Sequence, residues 1–167
     1  MIRKATLEDI PSIKKITEAC AQHMIAQGIF QWNENYPSLA VLTADVKANT
    51  VYVYLDQKEI VGTVMFSMVM DDFYTEVDWL TPDAKQLYVH RLAVHPASQG
   101  QGIARALMDF GEALAKEKKC LSVRLDTFSQ NPRNNRFYQA RKYQQVGQVF
   151  FAQKSEYPFY CYEKRLN

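Results

Sequence analysis

Apolar residues recur along the chain with two periods, one typical of helices and the other of strands. A first helix that ends near Gly28 is predicted by apolar residues three or four positions apart: Ile10, Ile13, Ile16, Cys20 and Met24. Thr6 and Asp9 resemble a capping pattern at its start, and residues 2–5 can form a short strand before it. An aromatic turn and a second short helix are expected within residues 28–46.

Two more helices are predicted in the second half of the chain. The first follows a glycine-containing loop and has one apolar face made of Ile103, Leu107, Phe110 and Leu114. The other covers PRNNRFYQARKY, residues 132–143. With the two helices of the first half, about four helices are expected.

Strands are predicted where β-branched and aromatic residues form short apolar or alternating runs. These runs are VYVYLD, EIVGTVMFSMVM, QLYVHRLAV, LSVRLDT, QVGQVFF and FYCYEKRL, at residues 51–56, 59–70, 86–94, 121–127, 145–151 and 159–166. The first two should pair as a hairpin through a tight turn at Gln57 and Lys58. Residues 71–85 are irregular and acidic, as in a loop that lies over another part of the protein.

This order of elements predicts a mixed α/β fold that begins with antiparallel hairpins and contains one strand, helix, strand crossover. A chain of 167 residues fits a single domain spanning residues 1–167. The sequence has 47% hydrophobic and 23% charged residues, which is typical of a globular protein. A formal charge of +2 with scattered basic residues favours neither nucleic acid nor an anionic membrane as partner.

The three cysteines, Cys20, Cys120 and Cys161, are far apart and form no CxxC pair, so we expect reduced thiols and no metal site. The N-terminal residues show no long apolar stretch, which indicates neither a signal peptide nor a membrane helix. A cytoplasmic protein is therefore the default expectation. A homodimer is compatible with a protein of this size.

The segment HPASQGQGIARAL, residues 95–107, follows a buried strand and opens a helix, as phosphate-binding loops do. It is not a Walker loop, because Ile103 and Ala104 follow Gly102 where Lys and Ser or Thr are required. Nor does it fit a dinucleotide fingerprint, because Arg105 stands where a third small residue is needed. The segment is thus a phosphate loop of another kind, or a plain turn between a strand and a helix.

Two blocks of the sequence decide between these alternatives. Gln99, Gly102 and Ala104 follow the order Q or R, two residues, G, one residue, G or A, and the run LAV with Pro96 precedes them. In NPRNNRFY, Asn131 is followed on a helix by Tyr138. Both blocks resemble those of the GCN5-related N-acetyltransferase (GNAT) family, and the resemblance extends over the whole chain in element order. Two departures are Lys142 with Tyr143, where the family often has Gly-Phe, and Asn134, where it usually has Ala.

The resemblance implies a mostly antiparallel sheet of six to seven strands flanked by about four helices, and acetyl-CoA as co-substrate. It implies that two adjacent strands separate after the central strand, so that N–H groups of Leu92, Ala93 and Val94 contact the acetyl carbonyl and the pantetheine arm. The diphosphate would contact the loop residues Gln99, Gly100, Gln101, Gly102, Ile103 and Ala104. Asn131 would contact the cofactor arm, with a helix cap as the alternative.

Tyr138 matches the family's general acid, since a phenol can donate a proton to the departing sulfur; a core tyrosine is the alternative. No glutamate on the central strand stands out as general base. His90 and Glu76 are the candidates for the general base, ahead of Asp78. A structural role for the histidine and simple solvation of the carboxylates are equally open interpretations. Cys120 has no adjacent histidine, which argues against a cysteine-linked intermediate.

Trp32, Tyr36 and Trp79 are candidates for walls of the acceptor pocket, with core packing as the alternative. The function implied is acetyl transfer from acetyl-CoA to a primary amine of a small molecule or peptide, by direct transfer in a ternary complex. A non-catalytic acyl-CoA-binding regulatory module and an interaction domain without ligand are the competing interpretations.

Overall fold

The computed structural model describes residues 1–167 and contains seven strands and four α-helices. The strands are β1 (Ile2–Lys4), β2 (Val51–Asp56), β3 (Glu59–Ser67), β4 (Gln86–Val94), β5 (Ser122–Phe128), β6 (Gln144–Val149) and β7 (Phe159–Arg165). The helices are α1 (Ile10–Ala26), α2 (Leu39–Lys47), α3 (Ile103–Glu117) and α4 (Pro132–Ala140). The mixed α/β class and the number of strands and helices are as the sequence predicts.

The strands form one sheet in the order β1-β2-β3-β4-β5-β7-β6. β4 and β5 are parallel and joined through α3, whereas β1 with β2, β2 with β3, β5 with β7 and β6 with β7 are antiparallel. The mostly antiparallel sheet with one crossover is thus confirmed. None of the helices has the length and apolar character needed to cross a membrane.

The residues group into two compact units. The first consists of Met1–Phe66 with His90–Phe110, and the second of Ser67–Val89 with Gly111–Asn167. β4 and α3 each contribute residues to both units. That the whole chain is a single domain stays a prediction.

The core of the first unit is built on α1. Its buried face packs as two clusters, one with α2 and β2 and one with the turn that follows α1. The start of the helical segment is capped as predicted, because Asp9 Oδ2 accepts the N–H of Thr6 at 2.8 Å. Gly28, with φ of 77°, ends it in the left-handed conformation that glycine adopts without strain.

The hairpin of β2 and β3 turns at Gln57 and Lys58, both with positive φ, as its two-residue loop requires. β3 ends at Ser67, so the predicted extension to residue 70 is wrong. The reason is local, because Ser67 Oγ accepts the N–H of Val69 at 3.0 Å and closes a side-chain turn. β6 likewise ends at Val149, before the predicted residue 151.

In the second unit, α4 ends at Ala140 and not at residue 143 as predicted. Lys142 has φ of 71°, and the N–H groups of Lys142 and Tyr143 donate to the carbonyls of Gln139 and Tyr138. These two bonds form a Schellman cap, in which the left-handed position usually belongs to glycine. The departure from Gly-Phe at Lys142 and Tyr143 therefore leaves the turn intact, with a lysine in a strained conformation.

Candidate functional site

The loop between β4 and α3 is shaped by two glycines. Gly100 and Gly102 have φ of 81° and 80°, in the left-handed region that other residues rarely adopt. A Cβ at either position would meet no atom within 4 Å, so the glycines serve the backbone conformation and not side-chain packing. The loop thereby exposes its main chain.

The exposed main chain offers hydrogen-bond donors. The N–H groups of Gly100 through Arg105 donate no hydrogen bond within the protein, and the first bond of α3 runs from Ala106 to the carbonyl of Gly102 at 3.0 Å. The first turn of α3 holds no acidic residue, and the Arg105 side chain is exposed. Unpaired N–H groups at the positive end of a helix are the usual protein partners of phosphate.

The loop is fixed from behind by side chains of the first unit. Gln99 Nε2 donates to the carbonyl of Val94 at 3.2 Å, and Cys20 Sγ donates to the same oxygen at 3.1 Å. His95 Nδ1 accepts the N–H of Ala97 at 3.1 Å, which caps the short turn at Pro96–Ser98. These bonds hold the loop in place before any ligand binds.

The start of α3 lies directly against β3. A Cβ at Gly62 would be 2.9 Å from Ile103 Cγ2, 3.2 Å from Leu107 Cδ1 and 3.5 Å from the carbonyl oxygen of Ala93. Ile103 and Leu107 are the first two residues of the predicted apolar face, and both are buried. Glycine at 62 thus permits the close approach of helix and strand.

β4 contains a backbone irregularity that the sequence did not indicate. Arg91 has φ of 50°, a strained conformation for a non-glycine residue that costs about 1–3 kcal/mol. Its side chain is held on two sides, because Nε lies 2.7 Å from Asp45 Oδ2 of α2 and Nη1 donates to the hydroxyl of Tyr36 at 3.2 Å. Burial raises the pKa of Asp45 and the Arg91 charge opposes that rise. The distortion immediately precedes Leu92, Ala93 and Val94.

The two aromatic candidates of the first unit occupy different positions. Trp32 is buried in the cluster of Ile16, Cys20, Ala21 and Ala93, as core packing predicts. Tyr36 is half-buried, and its hydroxyl accepts the Arg91 bond. His90 is half-buried on β4, next to Arg91.

In the second unit, Asn131 caps α4, because its Oδ1 accepts the N–H of Asn134 at 3.1 Å. Asn135, which sequence reasoning did not single out, joins α4 to two strands: Nδ2 donates to the carbonyl of Phe128 at 3.1 Å, and Oδ1 accepts the hydroxyl of Tyr162 at 2.6 Å. Tyr138 is buried on the same helix, with its ring centroid 5.9 Å from that of Tyr143. Burial raises the pKa of the Tyr138 phenol, which stays protonated at neutral pH.

The irregular segment at residues 71–85 covers one face of β5 and β7, as its composition suggests. Trp79 Nε1 donates to the carbonyl of Tyr74 at 3.0 Å, and the Arg124 guanidinium lies 4.6 Å from the Trp79 ring centroid. Tyr74 is buried and donates its hydroxyl to Asp126. The candidates Glu76 and Asp78, on the same segment, are exposed.

The family model of GNAT acetyltransferases matches residues 13–143, which is most of the chain. The protein is a member of the GNAT family. A curated relative, the uncharacterized N-acetyltransferase YesJ of Bacillus subtilis, is 22% identical over 145 residues, or 86% of this chain and 81% of that protein. GNAT enzymes use acetyl-CoA as co-substrate, and this GNAT protein is an acetyl-CoA-dependent N-acetyltransferase.

Solved structures show the same fold. A GNAT acetyltransferase of Streptococcus agalactiae has a TM-score of 0.84 and 20% identity, over 100% of this chain and 95% of that one. The PaiA N-acetyltransferase of Thermoplasma acidophilum, solved in complex with coenzyme A, has a TM-score of 0.74 and 16% identity, over 99% of this chain and 98% of that one. At these identities the likeness concerns the fold alone.

Proposed function

We propose that this GNAT enzyme transfers the acetyl group directly to a primary amine of a small molecule or peptide, in a complex that holds both substrates at once. The observation that carries the proposal is the row of unpaired N–H groups from Gly100 to Arg105. These groups suit the diphosphate of acetyl-CoA. Gln99 supports the loop through its bond to the Val94 carbonyl.

The thioester arm would follow the second half of β4. The four β4 residues that pair with β5 are the first four of the strand, Gln86–Val89. We propose that the N–H groups of Leu92, Ala93 and Val94 bind the acetyl carbonyl and the pantetheine arm beyond this pairing. Preorganised donors of this kind are worth about 2.7–4 kcal/mol each in other enzymes, because they face the oxygen on which negative charge develops.

In the transfer step the amine nitrogen attacks the thioester carbonyl carbon. A C–N bond forms, the C–S bond breaks with its electron pair on sulfur, the nitrogen loses a proton and the thiolate gains one. Tyr138 is our candidate for donating that proton, supported by a protonated phenol, while Asn131 is our candidate for a contact to the cofactor arm. His90 and Glu76 stay the candidates for accepting the nitrogen's proton.

Direct transfer is supported by the state of the cysteines. Cys20, Cys120 and Cys161 are all buried and unpaired with one another. Burial raises the pKa of Cys20 to about 11 and also raises that of Cys120, so both thiols are protonated and poorly nucleophilic near neutral pH. Free thiols also support our expectation of a cytoplasmic location.

The proposal is tested in two steps. Acetyl-CoA should raise the melting temperature of the protein, since a ligand that binds only the folded state stabilises it. A panel of amines should then release CoA above the uncatalysed rate. Stabilisation without CoA release from any amine would favour the acyl-CoA-binding regulatory module, and no stabilisation at millimolar acetyl-CoA would contradict cofactor binding.

A further inference from the structure

Arg91 lies near the end of β4, immediately before Leu92, Ala93 and Val94, and has a backbone conformation that is unusual in a strand. It is the only residue of the seven strands with positive φ. Within strands this conformation is typical of bulges and usually belongs to glycine. Because φ and ψ of one residue orient the next peptide plane, Arg91 sets the direction of the Leu92 N–H.

The Arg91 side chain is anchored to three parts of the first unit: α2, the turn before it and β3. Nε and Nη2 lie 2.7 and 2.6 Å from Asp45 Oδ2, and Nη1 donates to the hydroxyl of Tyr36 at 3.2 Å. Nη2 also lies 2.9 Å from Met65 Sδ. Each guanidinium nitrogen thus has a partner inside the protein, and the side chain is only 17% exposed.

The end of β4 has one edge toward β3 and one edge away from it. The His95 N–H donates to the Val61 carbonyl of β3 at 2.8 Å. The Val94 carbonyl belongs to the same peptide unit and points the opposite way, where Gln99 Nε2 and Cys20 Sγ donate to it. In an extended strand the N–H and the carbonyl of one residue point to the same edge, so the Val94 N–H also points away from β3.

We propose that Arg91 is a positioning residue for acetyl transfer: its anchored side chain holds the β4 backbone in the left-handed conformation, which directs the following N–H groups toward the thioester carbonyl. An extended conformation at Arg91 would be less strained, but it would rotate the Leu92 peptide plane away from that oxygen. Arg91 acts through the backbone and does not contact the substrate. The inference rests on the proposed function, in which Leu92, Ala93 and Val94 bind acetyl-CoA, and adds the group that orients them.

The test compares alanine with glycine at position 91. CoA release from acetyl-CoA is followed with 2-phenylethylamine, ethanolamine or spermidine, whichever reacts fastest with wild type. Both substitutions remove the side chain, but only glycine adopts a φ of 50° without strain. Arg91→Ala should lower kcat about tenfold or more, because misaligned donors stabilise the developing charge less well. Arg91→Gly should recover part of this loss, whereas a side chain that bound substrate would be missed equally in both variants.

Two further variants separate positioning from stability. Asp45→Asn weakens the anchor and should lower kcat by itself, but it should cause no further loss when added to Arg91→Gly, where the anchor is already absent. Arg3→Ala is the matched control, because it removes an arginine from Asp9, whose side chain is 10% exposed like that of Asp45. It should lower the melting temperature and leave kcat unchanged.

The same kcat in Arg91→Ala and Arg91→Gly would overturn the inference. If Arg91→Ala does not fold, the double mutant decides, and a loss of kcat from Asp45→Asn that is as large with glycine at 91 as with arginine overturns it. If none of the three amines releases CoA from wild type, the transferase proposal fails, and calorimetric titration of acetyl-CoA tests Arg91 separately. A Kd raised in Arg91→Ala and closer to wild type in Arg91→Gly supports the inference, and the same Kd in both variants overturns it.

Discussion

Arg124 and Glu163 form an ion pair with a 3.0 Å N–O distance in which both side chains are fully buried. Glu163 also accepts from the Leu80 N–H and from the hydroxyls of Thr81 and Ser122, and Arg124 donates to the Thr81 carbonyl at 2.8 Å. The pair therefore joins the covering segment at residues 71–85 to β5 and β7. Desolvation of both charges is offset only because every polar group has a partner.

Glu163→Gln should destabilise the protein by about 3–5 kcal/mol, because it leaves the buried Arg124 charge without its main partner. Urea unfolding followed by circular dichroism measures the change. Asp83→Asn removes the other carboxylate near Arg124. Because the Asp83 side chain is 69% exposed, this substitution should lower the free energy of unfolding by less than about 1 kcal/mol. Similar losses in the two variants would contradict a dominant role of the buried pair.

The Glu163 carboxylate should also make the stability of the protein depend on pH in the acid range. Burial alone raises the pKa of Glu163, but the hydrogen bonds from Ser122, Thr81 and Arg124 outweigh it and lower the pKa below the ordinary value of 4.5. A lowered pKa in the folded state stabilises the protein above the unfolded-state pKa, and this contribution is lost as the pH falls through the folded value. The melting temperatures of wild type and Glu163→Gln should thus converge below pH 4.5; a constant difference down to pH 3 would disagree.

Arg105→Glu should weaken acetyl-CoA binding, because it reverses a charge in the first turn of α3, beside the unpaired N–H groups. We expect a Kd about tenfold higher and a smaller melting shift, with a difference that shrinks as salt is added. The control is Lys116→Glu, in the last turn of the same helix. It makes the same change of charge and should leave the Kd unchanged.

Tyr138→Phe should lower kcat by about 100-fold or more if the phenol donates the proton to sulfur. The acetyl-CoA melting shift should stay as in wild type. Tyr143→Phe removes the hydroxyl from the ring packed against Tyr138 and should keep kcat. Loss of the melting shift in Tyr138→Phe would make this residue part of the packing or of cofactor binding instead.

Structural features that depend only on neighbouring residues could be predicted from the sequence. The glycine loop, the hairpin turn at Gln57 and Lys58, and the helix that starts after Gly102 depend on neighbouring residues, whose spacing is visible in the chain. The end of β3 could not be predicted, because a single hydrogen bond from the Val69 N–H to Ser67 Oγ determines it. Apolar residues continue beyond Ser67, so the sequence pattern predicts a longer strand and gives no sign of the turn.

Long-range pairs were missed for a different reason. Arg124 and Glu163 are 39 positions apart, and each looks like an ordinary polar residue of an alternating strand. A signal did exist, since LSVRLDT and FYCYEKRL place opposite charges inside two apolar strands, where a charge is tolerated only when paired. The strained backbone at Arg91 had no such signal, because the bonds of its side chain to Asp45 and Tyr36 form only in the folded chain.

The close approach at Gly62 has a consequence for engineering this enzyme. Any larger side chain at position 62 meets Ile103 and Leu107 of α3. The start of the helix and the loop that precedes it must then shift. A library randomised at position 62 would lose cofactor affinity and thermal stability together, whatever acyl donor is sought. Gln101 is exposed on the loop itself, so a change of its side chain can alter the contacts to the diphosphate while preserving the scaffold.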